Sequence, residues 1–152
     1  MLNTKTLLIV GALGLCCSFG ALSHTNNCAG FSNAGKGLPF TIQQVQEKGM
    51  DYYGVNTFTN YTVGEGKATP YIYTQAGDPN DSQVDYFIQA GGDPNSYEVI
   101  VSYEHGVRLA SVSSGASFSV VPITGASMKC SMDGGGSATG DNAYTLQITP
   151  KA

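Results

Sequence analysis

His24 and His105 are the only histidines in this 152-residue chain, and their placement suggests metal chemistry. His24 lies in "ALSHTNNC", where an apolar leader gives way to polar sequence. Cleavage after Ser23 would make it the first residue of the mature chain. A terminal histidine can grip one ion with its α-amine and its ring together, and a second imidazole completes a near-planar nitrogen set suited to Cu(II). His105, in "SYEHGV" at a strand end, would supply that ring, with Tyr103 or Tyr144 as an axial oxygen. Cleavage after Gly20 or Ala21 instead leaves His24 internal and removes the chelate. His105 then reads as an ordinary hairpin residue before Gly106.

A second oxygen-rich set comes from a local repeat. "YIYTQAGDPND" (71–81) is echoed by "YFIQAGGDPNS" (86–96), an aromatic strand followed by Gln-Ala-Gly and Asp-Pro-Asn in part. Proline presets the second position of a type I turn and the preceding Asp can cap it, so each Asp-Pro-Asn reads first as a hairpin turn. The sharper alternative is a calcium site from Asp78, Asp81 and Asp93 with Asn80 and Asn95. An EF-hand loop opening at Asp78, however, needs an acid where Gln89 stands.

The 9 tyrosines form the broadest constellation. Tyr71 and Tyr73 fall on one strand face, because side chains alternate along a strand. Some tyrosines belong to core and cross-strand packing. An exposed subset offers contact area at low entropic cost and so suits a protein or glycan ligand. Tyr71, Tyr73, Tyr86 and Tyr97, bordered by the Asp78 and Asp93 turns, are the candidate binding residues. The chain has 0 tryptophans, which counts against the glycan version.

Catalytic motifs are scarce. "GASFS" (115–119), "GASMK" (125–129) and "GGSAT" (135–139) lack the final glycine of the G-x-S-x-G elbow. Glu98 and Glu104 share a strand face, as solvated glutamates commonly do. "MDGGGSATGDN" (132–142) has no lysine and is not a phosphate loop; it reads as a long flexible connection.

These residues need a frame to hold them. Lys5, the apolar run 7–15 and the small residues Ser18, Gly20, Ala21 and Ser23 follow the order of a secretory signal peptide, here assigned to 1–23. The segment is shorter than the ~20 apolar residues that cross a bilayer. Cys16 and Cys17 fit lipoprotein processing poorly. The remainder, 24–152, is the size of one domain. Of 7 Lys and Arg, Lys5 leaves with the leader, so 6 face 11 Asp and Glu. With no basic cluster, nucleic acid and anionic membrane surfaces are excluded as partners once the leader is gone. Cys28 and Cys130 remain, and in an exported chain they are expected to form one disulfide.

Residues 41–48 (TIQQVQEK) offer the one short helix, with Thr41 and Gln44 as a capping box and Gly49 as a stop; a strand over 40–46 is the competing assignment. Beyond Met50 the period becomes two, over 53–63, 71–75, 84–89, 97–104, 107–112, 118–123, 127–132 and 144–148. Turn residues bound each run. About eight short strands spaced this way predict an all-β fold, an antiparallel β-sandwich or barrel. In two residues and a fold class, a terminal His24 with His105 on such a scaffold resembles lytic polysaccharide monooxygenases and some copper-carrier proteins. The first expectation is nevertheless a secreted or periplasmic binding module with no cofactor and no catalytic activity. A copper protein and a small exported hydrolase are the alternatives.

Overall fold

The computed structural model describes residues 25–49, 54–77, 82–103 and 107–151. Residues 1–24, which include the expected leader and His24, lie outside them. Among the described residues eleven strands follow in order: β1 (Thr25–Asn33), β2 (Phe40–Lys48), β3 (Tyr61–Val63), β4 (Ile72–Ala76), β5 (Ser82–Ala90), β6 (Tyr97–Tyr103), β7 (Val107–Val112), β8 (Phe118–Gly125), β9 (Met128–Ser131), β10 (Ser137–Gly140) and β11 (Asn142–Pro150), with one 3-10 turn at Asn56–Phe58 between β2 and β3. They form two packed sheets, not a closed barrel. Sheet A runs β10-β9-β4-β1-β11-β8, and sheet B runs β3-β2-β5-β6-β7. Most neighbours are antiparallel, as expected, but β1 pairs in parallel with β11 and β4 with β9.

Alternation decides which side chains enter the core. On β5, Val84, Tyr86, Ile88 and Ala90 face inward and are buried, while Gln83, Asp85, Phe87 and Gln89 are half-buried on the outside. Phe31 of β1 sits at the centre, its ring meeting Tyr86 at 4.9 Å and Phe58 at 5.2 Å, both edge to face. Such pairs add to the area term that dominates core stability.

The short helix expected over 41–48 is a strand. The register of β2 against β5 slips between Ile42 and Gln44, a β-bulge. One extra residue there puts Ile42 and Val45 on the same inward face. Their three-residue spacing copies the apolar stripe of a helix. The glycine-rich connection also holds a strand, β10, paired with β9 from Ser137↔Ser131 to Gly140↔Met128. A Cβ at Gly140 would lie 2.7 Å from the Asn27 carbonyl carbon and 2.8 Å from Cys28 Sγ, so this strand passes where only glycine fits.

Candidate functional site

The outward positions of sheet A converge on one patch. Cys28 on β1 and Cys130 on β9 form the expected disulfide, with Cα atoms 6.0 Å apart across 102 residues. Tyr73 and Ala143 pack on it, and Tyr71, Met128, Met132 and Ala138 border it. Tyr73 donates to Asn26 Oδ1 at 2.9 Å, and the Tyr71 hydroxyl pairs with Thr145 Oγ1 at 2.5 Å. Gly30 leaves room for Tyr71, whose ring atoms lie 3.2 Å from where a Cβ would stand.

Beside Tyr71 runs a small open groove lined by Ile123, Thr124, Gly125, Ala143 and Thr145. Its far bank is β8, the edge strand. Val121 and Ile123 on β8 are the most exposed large apolar side chains among the described residues, at 49% and 47%. Both oppose outward-facing residues of β11, Gln147 and Thr145. The Lys151 N–H donates to the Ser117 carbonyl at 2.8 Å, which sets the alternation of this pair. Val121 and Ile123 therefore turn their backbone groups to β11, and Pro122 faces the open edge, where it has no N–H to offer.

Only part of the expected binding set meets at this patch. Tyr71 borders the groove; Tyr73 is 7% exposed and packs with the disulfide and Ala143. Tyr86 must be removed from any binding face: it is 0% exposed between the sheets. Its flanks, Val84 and Ile88, mark that face as core and were a legible signal. Tyr97 lies on sheet B, its ring 6.1 Å from Phe118, and donates to Asp93 Oδ2 at 2.8 Å. Asp93 Oδ1 accepts from the Asn95 backbone at 2.9 Å and from Asn95 Nδ2 at 3.1 Å. The Asn95 N–H, and then the Tyr97 hydroxyl, hold this carboxyl below its usual range, while Asp93 raises the Tyr97 hydroxyl in turn. Asp93 thus ties its own turn together. Asp78, Asn80, Asp81 and His105 lie outside the described residues, so the calcium and copper ligand sets fall largely there. Among the described residues no group of three or more His, Cys, Asp and Glu is placed to hold a metal.

The groove residues Ile123, Thr124, Ala143 and Thr145, with Val121, were not expected as a site. Their signal was slight: "FSVVPITG" is apolar at Val120 and Val121 in succession, more than a one-sided strand needs.

A second tyrosine group lies between the sheets. Tyr144 of β11 pairs its hydroxyl with Tyr86 at 3.1 Å and with Tyr103 at 2.5 Å. Burial pushes all of these hydroxyls well above their ordinary pKa, with the neighbouring tyrosines adding to it. They are held neutral and closed to ligands arriving from outside.

Compared with known proteins, the chain matches no protein-family model and no curated sequence.

Proposed function

We propose that the protein is an exported, non-enzymatic β-sandwich binding module and that its contact face is the outer face of sheet A. The observation carrying this reading is the pair Val121 and Ile123, 49% and 47% exposed on one edge strand beside the Tyr71 groove. Two large apolar side chains exposed side by side next to a groove suit association with a partner. Aliphatic side chains with a bordering tyrosine favour a protein partner over a sugar, which prefers aromatic platforms. Pro122 blunts the edge, so the partner meets the face and does not extend the sheet. The leader pattern and a disulfide across 102 residues support export to an oxidising compartment.

The test is a screen of the mature protein against cell-surface proteins and glycans, repeated with Ile123→Ser and Tyr71→Ala. Capture of a protein, weakened about tenfold or more by either variant, is the expected result. Capture of glycans alone would replace the partner class. No binder in either screen, or binding indifferent to both variants with folding intact, would end the reading.

One observation keeps the copper alternative in play. Thr25, one residue after His24, pairs with Ala76 at the end of β4, whose next residue, Gly77, donates to the Gly49 carbonyl at 2.8 Å. The same carbonyl accepts from Ser82 Oγ at 2.7 Å, and Ser82 pairs with Tyr103, two residues before His105. The strand ends leading to the two histidines thus share one end of the sandwich. Intact mass of the exported protein decides the first step: a start at any residue but His24 sinks the chelate. A start at His24 with tight Cu(II) binding lost in His105→Ala would reverse the ranking.

A further inference from the structure

We infer that the sandwich interior beneath Asn27 and Thr74 is a water-binding site, where ordered waters join sheet A to the tyrosine hydroxyls. Asn27 and Thr74 stand directly opposite in the β1/β4 pair. Cross-strand partners project from the same face. That face is the inner one, because Ala29 and Phe31 on β1 and Ile72 and Ala76 on β4 belong to the core. Both residues are 0% exposed, yet Asn27 Oδ1, Asn27 Nδ2 and Thr74 Oγ1 have no hydrogen-bond partner in the protein. Each buried orphan of this kind would weaken the folding equilibrium about ten- to hundredfold.

The other buried asparagine of β1 shows how the protein satisfies such a group when it can. Asn33 Nδ2 donates to the Leu38 carbonyl at 2.8 Å and the Val63 carbonyl at 2.9 Å, and its Oδ1 accepts from Gly35 at 2.8 Å. Asn27 has nothing equivalent. Its amide is kept in a core where leucine would pack without any such demand.

Proton counting at the tyrosines points the same way. Three hydroxyls carry three protons, but Tyr86–Tyr144–Tyr103 makes two bonds, so one proton is left over. Thr74 Oγ1 lies beside the Tyr103 hydroxyl, where it partly offsets the rise that burial imposes on that hydroxyl's pKa, yet it makes no hydrogen bond of normal geometry. A water can accept the spare hydroxyl proton of this group and donate to Thr74 Oγ1 and Asn27 Oδ1. The oxygen and nitrogen of one amide diverge, so a further water must accept from Asn27 Nδ2. Buried waters usually make about three such bonds. An ion is disfavoured: the named groups are neutral, and the acid whose charge reaches the tyrosines, Glu47, is engaged by the Val55 N–H at 2.6 Å and Asn56 Nδ2 at 2.7 Å.

Nuclear magnetic resonance on the full chain with its disulfide formed tests this directly. The expected result is long-lived water cross-peaks at the Asn27 side-chain amide, with an oxygen-17 relaxation dispersion to match. Thr74→Val should reduce the dispersion and raise the unfolding equilibrium constant about tenfold, whereas Thr74→Ser, which keeps the hydroxyl, should retain the signal. Absence of the Asn27 cross-peaks in the unmodified protein overturns the inference, whatever the variants do. A neutral or stabilising Thr74→Val would point the same way, since it would mean the hydroxyl was a true orphan.

Discussion

The two tyrosine groups are built from the same residue, yet they are secured differently. Tyr71 and Tyr73 lie on the outer face of sheet A, gathered round a covalent bond, with hydroxyls resting on Thr145 and Asn26 near solvent. Tyr86, Tyr103 and Tyr144 lie between the sheets, where each hydroxyl depends on another. A one-residue step along a strand makes the difference: Tyr73 sits between Ile72 and Thr74, both of which face inward. The outer group tolerates the loss of an oxygen because water can replace it. The inner group loses its mutual satisfaction when any member changes. The tether holds the first, and completeness holds the second.

Cutting the tether should give the largest effect. Cys28→Ser with Cys130→Ser opens a loop of 102 residues and is expected to cost about 4–5 kcal/mol in urea unfolding, on the chain-entropy model. Next comes the hub of the inner group. Tyr144→Phe removes the shared partner of Tyr86 and Tyr103 while keeping shape, and should cost about 2–4 kcal/mol. If it costs less than Tyr71→Phe, the contrast between the groups fails.

Alkali provides a third lever. The inner hydroxyls have folded pKa values raised above the ordinary 10.0. The unfolded chain therefore releases these protons first as pH rises. Their stabilising contribution is complete below about pH 10 and is lost progressively above it. Denaturant midpoints from pH 8 to 11 should fall steeply in the native protein and less steeply in Tyr86→Phe. The smallest effect is reserved for Tyr71→Phe, about 0.5–1 kcal/mol, because its bond to Thr145 is only partly buried.

Much of this frame was legible. Period-two runs bounded by Gly, Asp-Pro and Ser-Gly located most strands, and the cysteine count identified the disulfide. The failures have physical causes. The bulge in β2 moved an apolar residue from the second to the third position and so imitated a helix. β1 escaped because both of its faces are covered: Ala29 and Phe31 on one side, Cys28 and Gly30 on the other, leaving no polar alternation to read. β10 is "SATG", small residues whose strand identity comes from β9 and from the close passage of Gly140. The groove was less legible still. It requires the pairing of β11 with both β1 and β8, which no local pattern encodes.

That pairing has a consequence for the order of events during synthesis. β1 and β11 lie side by side at the interior of sheet A, joining residues such as Asn26 and Asp141 that are 115 positions apart. β11 must enter between the earliest strand and β8. Until residues 142–150 emerge, both of those strands present unpaired backbone, and sheet A cannot close around the core. Such distant contacts make folding slow. Sheet A is therefore completed in one late event, when the last strand of the domain joins the first.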